Sequence, residues 1–349
     1  MEPFAWQRAT SVSQAAAAAT HTVCESMLTL TGIPKDGQAV VIKAGGVDLL
    51  ALMKEGLVRP ARLIDITRLP ELEGITVQSD GGVRIGALAT LGQIAAHADL
   101  QQGHTALAQA ASLAASPQIR SRATIGGNLL QRPRCWYLRS AAHHCLRKAG
   151  ARCFAYQGDN RHHAVFANHG CAIVHASTPA TALLALDAEV EIAAAAGGSR
   201  RVPLAEFFLL PASDVHRETA LTHGEILTAV WLPPPGGRRS LYLQVSERAA
   251  FDWPLAAVAV ALDIDPASRC RHASIVLGAA APVPWRARDA EAVLAGALIS
   301  EELAASAGEA ALAGATPLSR NAYKLPLLAT LVRRAVSSIA GLQTGSPAG

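Results

Sequence analysis

The sequence predicts an α+β protein of more than one domain, and three observations carry that prediction. Its 349 residues suggest two domains, or three lobes, at about 150 residues per domain. Short apolar strand patterns mix with capped, Ala-rich helical patterns over the first two thirds. Pro233-Pro234-Pro235-Gly236-Gly237 then reads as a linker, followed by alternating strand patterns and a run of helices. No period of 20–50 residues repeats, which argues against a solenoid or propeller.

The elements follow in order. Residues 10–30 are Ala-rich with helical spacing and Ser or Thr at both ends. Pro34-Lys35-Asp36-Gly37 reads as a turn. Residues 39–42 form a short buried strand, Gly45-Gly46 breaks it, and Asp48 stands where an N-cap is wanted before Leu49, Leu50, Leu52 and Met53. Residues 61–66 and 82–86 are further strands. Thr90 caps a helix through Ile94 to His97, and a helix over 104–115 is ended by Pro117. After Gly126-Gly127-Asn128, residues 131–170 read as a long loop. Residues 172–174 and 190–195 read as strands with a helix between them. Beyond the linker, 241–245 and 274–277 alternate, 255–262 is apolar throughout, two or three helices end near 341, and 345–349 reads as a frayed tail.

Half the residues are apolar and 17% are charged, which excludes a disordered chain. No apolar run reaches the roughly 20 residues of a membrane span. The N-terminus has an acid at position 2 and no apolar segment, so a secretory signal is not expected. That places the chain in the cytoplasm, or in the periplasm if a partner is exported with it. The net charge of +4 comes from scattered Arg rather than a basic stripe, so no nucleic-acid partner is expected. One stretch is uneven: residues 132–175 hold seven Arg or Lys, one Asp, six His and four of the six cysteines.

Three groups of residues carry candidate chemistry. Lys43-Ala44-Gly45-Gly46-Val47-Asp48-Leu49-Leu50 joins a strand to a helix through glycines, which let backbone approach a phosphate, with helix-start amides as donors. A tight structural turn is the bland alternative. Thr124-Ile125-Gly126-Gly127-Asn128 repeats the Gly-Gly arrangement, read as a second loop after a strand, with Thr and Asn as side-chain donors. Two such loops suit one extended ligand with a pyrophosphate at its middle; two unrelated turns are the alternative. Cys135, Cys145, Cys153 and Cys171, spaced C-x9-C-x7-C-x17-C, could hold a [4Fe-4S] cluster or zinc, or could be unpaired thiols in a basic loop. The lack of a C-x2-C pair argues against a zinc knuckle. Cys24 and Cys270 read as buried small hydrophobes. His143-His144 and His162-His163 read as loop charge or as hydrogen-bond partners of sulfur rather than as paired ligands. Glu247-Arg248 and Phe251-Asp252-Trp253 either face a ligand or serve structure.

These residues, in this order, resemble the FAD-binding middle subunit of the heterotrimeric molybdenum hydroxylases, the xanthine dehydrogenase, aldehyde oxidoreductase and carbon monoxide dehydrogenase family. The resemblance spans Phe4-Ala5-Trp6 to about Ala340 and rests on 44–50, Leu63-Ile64-Asp65-Ile66, 83–87, Gln118-Ile119-Arg120 with 123–128, and the strand leading to Ser246-Glu247-Arg248. It implies a two-lobed FAD-binding domain of the vanillyl-alcohol oxidase type, with lobes over 1–62 and 63–234 and a cysteine-rich loop at 131–171. A C-terminal domain of antiparallel strands and helices over 238–345 is implied after it. Cofactor contacts are implied at Val41, Ile42, Lys43, Ala44, Gly45, Gly46, Val47, Asp48 and Leu49, at Ala115, and at Thr124, Gly126, Gly127 and Asn128. The first glycine pair would serve the pyrophosphate and the second the flavin side. Extra cysteines just after Gly-Gly-Asn look like the subgroup with a [4Fe-4S] cluster, here on Cys135, Cys145, Cys153 and Cys171. The implied partners are a molybdenum-cofactor large subunit, a [2Fe-2S] small subunit and an external electron acceptor. No residue of this chain is implied as catalytic. Three positions depart from the family pattern: Val47 replaces Thr, Thr178 replaces Asp after Ser177, and Gln244 replaces a basic residue. A scaffold that has lost FAD and a stand-alone flavin oxidase are the rival readings.

Overall fold

A computed structural model describes residues 1–28, 30, 39–248 and 251–342. The expected turn at 34–37 and the expected frayed tail at 345–349 lie outside the described residues.

The N-terminal lobe contains β1 (Ala5–Arg8), α1 (Val12–Ala18), α2 (Val23–Leu28), β2 (Val40–Lys43), α3 (Val47–Lys54) and β3 (Arg62–Asp65). Its three strands are parallel in the order β1-β3-β2. Parallel neighbours need a crossover, and α3 supplies the one between β2 and β3. β3 spans the 62/63 boundary expected between the lobes. The single helix expected over 10–30 is two helices, because Thr20 and His21 donate their amides to Val40 O and leave the helical path. The apolar face of α3 (Leu49, Leu52, Met53) packs with Val41, Leu57 and Leu63, and this core also takes in Leu138 and Cys145 from the cysteine-rich segment.

The second lobe is antiparallel. It comprises β4 (Ile75–Val77), β5 (Val83–Gly86), α4 (Leu91–Ala96), α5 (Ala98–Gly103), α6 (Thr105–Leu113), α7 (Pro117–Arg120), α8 (Ile125–Leu129), α9 (Thr178–Ala185), β6 (Glu189–Ala194), β7 (Ser199–Pro203), α10 (Leu204–Phe207) and β8 (Glu225–Leu232). The strand order is β4-β5-β8-β6-β7. Thr90 caps α4 through a full capping box with Gln93, as its S/T-x-x-E/Q spacing implies. Pro117 not only ends the helix before it but opens α7, with Ser116 as N-cap. Residues 172–174 are not a strand. That segment is extended but bonds outside any sheet: Ala164 N donates to Ala172 O, and His175 N to Ala281 O.

The C-terminal domain has β9 (Arg239–Val245), β10 (Ala256–Ile264), β11 (Cys270–Gly278) and β12 (Trp285–Arg286) in the antiparallel order β12-β11-β10-β9. Helices α11 (Arg288–Leu294), α12 (Glu301–Ala310) and α13 (Lys324–Ala340) cover one face. The uniformly apolar run of β10 is explained by two buried faces. Ala256, Val258, Val260 and Leu262 join the helical core, while Ala257, Ala259 and Ala261 face the second lobe. The small odd-numbered residues let α6 and α9 approach the sheet closely. The C-terminal sheet is thereby packed onto the second lobe. Among the described residues no helix is long and apolar enough to cross a membrane.

Candidate functional site

Two glycine pairs meet where the lobes join. Lys43 ends β2, and Ala44-Gly45-Gly46 turns into α3. A Cβ on Gly45 would lie 2.1 Å from Arg122 O, so only glycine permits the two chains to approach there. Gly46 has φ +79°, the left-handed region that glycine favours, and it is the N-cap of α3. It has no side chain to offer, so the first-turn amides of α3 have no side-chain acceptor and present donors at the positive end of the helix. The expected N-cap, Asp48, is instead inside the first turn.

The second pair differs from the loop expected after a strand. Thr124 is the N-cap of α8 and accepts from Gly127 N at 3.2 Å, so Gly126 and Gly127 form a first helical turn. Gly126 packs on Ala87, and a Cβ there would sit 3.0 Å from Ala87 Cβ. Asn128 Oδ1 accepts from Ser177 Oγ at 2.5 Å, which ties α8 to the start of α9.

A continuous groove runs past both pairs. On one side it is lined by Gly45, Thr124, Asn128 and Ala115, with Phe251 and Trp253 at its rim. On the other it is lined by Ile42, Lys43, Ala44, Leu49 and Gly126, together with Cys24 and Glu218. Gly46, Val47, Asp48 and Gly127 belong to both sides. Val41 alone of the anticipated residues points away, fully buried in the first lobe's core. Lys43 is occupied within the protein: its Nζ lies 3.4 Å from Asp65 and 5.0 Å from the Trp6 ring centre. Asp48 would place a negative charge beside an anion, but Arg139 and Arg134 neutralise it at 2.7 and 3.0 Å. The groove fits an elongated ligand whose anionic middle meets backbone amides.

The four cysteines of the loop come together. Cys135, Cys145, Cys153 and Cys171 all line one small cavity, closed by Tyr137, Leu138, Phe154 and Ile173. Their sequence spacings of 9, 7 and 17 residues give no hint of this convergence. Two single-turn helices at Leu146–Lys148 and Phe154–Tyr156 fold the loop back on itself. Arg147 Nε donates to Cys171 Sγ at 3.4 Å, and its Nη2 is buried without a hydrogen-bond acceptor among the described residues. A hydrogen bond with Cys153, aided by the Arg147 guanidinium, holds the Cys171 thiol below its ordinary range. Burial pushes Cys135 up to about 12. His163 Nε2 lies 3.3 Å from Cys135 Sγ, as anticipated for a histidine beside sulfur. Among the described residues no three His, Cys, Asp or Glu groups converge tightly enough for a single metal ion. The donor set is all sulfur, it surrounds a space, and it sits against buried positive charge. That chemistry suits a polynuclear anionic cluster.

The sequence reading missed part of the site. Cys24, expected as an inert hydrophobe, is only partly buried and donates from Sγ to Glu218 Oε2 at 3.2 Å. Cys270 is fully buried in β11, as expected. Glu218 is held by Arg147 at 2.5 Å and Arg132 at 3.4 Å, and no motif marks it. A second cavity beside the groove is lined by Cys135, Trp136, His163, His175, Tyr242 and Trp253. Burial lowers His163 to about 4 and His175 to about 3, so both imidazoles are neutral near pH 7.

The chain matches known proteins over most of its length. Residues 2–235 match the family described as the FAD binding domain in molybdopterin dehydrogenase, and residues 241–339 match the CO dehydrogenase flavoprotein C-terminal domain. The chain is 37% identical over 298 residues to the aldehyde oxidoreductase FAD-binding subunit of Escherichia coli, covering 85% of this chain and 89% of that protein. It is 27% identical over 307 residues to the carbon monoxide dehydrogenase medium chain of Hydrogenophaga pseudoflava, covering 86% and 90%. A solved structure of carbon monoxide dehydrogenase from the same organism superposes with TM-score 0.72 at 26% identity, covering 98% of this chain and 99% of that one.

Proposed function

Since this chain belongs to the FAD-binding subunits of the molybdenum hydroxylases, we propose that it holds FAD along the groove and a [4Fe-4S] cluster in the cysteine cavity. In this reading it relays electrons from [2Fe-2S] centres on a small subunit to an external acceptor, while a molybdenum-cofactor large subunit oxidises the substrate. The observation that carries it is the meeting of the two glycine pairs in one groove, with four cysteines around a cavity beside it.

Bound FAD supplies two-electron and one-electron redox chemistry that no side chain here provides. The chain's own residues bind and orient. The amides after Gly46 would hold the pyrophosphate, without the hydroxyl that a Thr in place of Val47 would add. Thr124 and Gly127 support the opposite wall, and Asn128 is oriented by Ser177. Lys43, Asp65 and Trp6 fix the strand end from behind. Cys135, Cys145, Cys153 and Cys171 would ligate the cluster, and Arg147 offsets its negative charge. No side chain is needed as a general acid or base for substrate.

An anaerobic visible spectrum with iron and sulfide assays on the purified chain tests the reading. Flavin bands with about four irons per chain are expected. Iron without flavin, even after FAD is added, would sink the flavoprotein reading. Flavin without iron would sink the cluster.

A further inference from the structure

The cysteine cavity and the nucleotide groove share a wall made of charge. Arg147 is 1% exposed and lines the cavity. Its Nε reaches Cys171 Sγ, and its Nη1 reaches Glu218 Oε1 at 2.5 Å. Glu218 is 8% exposed and lines the groove, where its other oxygen accepts from Cys24 Sγ. Arg132, also 1% exposed, shares Oε1 of Glu218 from 3.4 Å. One guanidinium therefore lines the cavity, and one carboxylate is held between that guanidinium and the groove.

The charge count is unbalanced. Arg132 and Arg147 carry two positive charges and Glu218 one negative, so this buried set is left one charge positive wherever the Cys171 thiol beside Arg147 keeps its proton. Burying a surplus charge is unfavourable unless a counter-charge is supplied nearby. A thiolate-ligated cluster supplies it on the Cys171 side. With the cavity filled, Arg147 is anchored between two anions, and Glu218 is fixed in the groove wall. With the cavity empty, Arg147 keeps Glu218 and the single long bond to Cys171 Sγ, and its Nη2 has no acceptor among the described residues.

We propose that the Cys171–Arg147–Glu218 chain couples the two cofactor sites, so that cluster occupancy tightens FAD binding and bound FAD protects the cluster. Arg147 and Glu218 are positioning residues in this scheme; neither transfers electrons. The proposal rests on the assignment of FAD and the cluster given above. Coupling between two binding sites is reciprocal, and factors of about 5–150 are typical.

The test uses the full chain, purified anaerobically, with FAD affinity read from flavin fluorescence and iron release read with a chelator. Removing the iron should weaken FAD at least about fivefold, and saturating FAD should slow iron release. Glu218→Gln, which keeps the shape and removes the charge, should bring both effects to within about twofold of none. Arg147→Lys should retain part of the coupling. Equal FAD affinity with and without iron in the wild-type chain would overturn the proposal without any variant. Undiminished coupling in a folded Glu218→Gln chain would overturn it too, by showing that iron loss acts through the loop as a whole. A chain that never holds iron would overturn the cluster assignment and this proposal together, whereas two cofactors that bind independently would overturn this proposal alone.

Discussion

Arg139 Nη2 lies 2.7 Å from Asp48 Oδ1, while Asp48 Oδ2 accepts the Arg132 backbone amide at 2.9 Å. A single carboxylate in the first turn of α3 thus pins the start of the cysteine-rich loop onto the glycine turn. Arg139 also donates to Arg132 O and Pro133 O, closing that first bend of the loop. The loop is 91 residues from Asp48 in sequence at its Arg139 contact, yet it completes the core under α3 through Leu138 and Cys145. The cysteine-rich loop and the glycine turn are one structural unit.

Asp48→Ala should therefore damage both sites at once. Two largely buried guanidinium groups would lose their carboxylate, a change that costs about 3 kcal/mol when such a pair is broken from one side. Urea unfolding should show that loss, and flavin and iron content should fall together. Asp48→Asn keeps an acceptor for the Arg132 amide and should fall between wild type and Asp48→Ala. Loss of flavin with full iron retention would contradict the shared anchoring.

Gly45→Ala should abolish flavin retention. The added methyl would stand 2.1 Å from Arg122 O, a backbone atom that cannot rotate away. Either the turn before α3 or the segment before Thr124 must shift, which separates the two glycine pairs. Gly74→Ala tests a different cost, since its Cβ meets nothing within 4 Å and only its φ of +81° is strained. It should reduce stability by about 1–3 kcal/mol and leave flavin content unchanged. Flavin-to-protein ratio from the visible spectrum distinguishes the two.

The six cysteines should separate into classes on substitution. Cys171→Ser should lose most iron, because Cys171 faces the cavity with Arg147 beside it. Cys270→Ser should keep its iron and lose only stability, because Cys270 is buried in β11 within the C-terminal core. Placing a hydroxyl in that apolar site costs about 1–3 kcal/mol. Iron and sulfide counts together with thermal unfolding check both. Full iron in Cys171→Ser would remove Cys171 from the ligand set.

Much of this was legible in the chain because local chemistry spoke for itself. Thr90 and Gln93 announce their helix start, and Pro233–Gly237 announces the break before β9. The glycine pairs are visible because close approach and positive φ leave glycine alone suitable at 45 and 46. What local pattern could not show was set by distant partners. Residues 19–22 leave the helix to meet Val40 O. Asp48 looks like a cap and acts as a clamp, since its partners lie in another segment. Residues 172–174 have strand composition, but Ala172 O accepts from Ala164 N, a loop amide and not a sheet edge. Glu218 and Cys24 belong to no motif, and their pairing at a separation of 194 residues leaves no trace in either neighbourhood. The same holds for the cysteines: their identity was readable, whereas their convergence needed the folded loop.

Acid should destabilise the protein between about pH 6.5 and 3, and His175 should account for part of it. Burial holds this imidazole down to about 3, below the 6.5 of an exposed histidine. The unfolded chain therefore binds a proton that the folded chain refuses, and stability rises with pH across that window. The contribution is present above 6.5 and is lost as pH falls. From pH 7 to pH 5 the loss assigned to His175 is about 2 kcal/mol by this linkage. His163, held at about 4 by burial, works in the same direction. His175→Leu removes the titrating group and keeps an apolar contact with Phe208, whose ring centre lies 4.3 Å from the imidazole. The variant should lose less stability than wild type on going from pH 7 to pH 5, by about 2 kcal/mol, with His163 still acting. Urea midpoints at the two pH values measure the difference. Identical pH dependence in the two proteins would mean that His175 gains its proton without unfolding, by drawing water into the cavity it lines beside Trp136 and Tyr242.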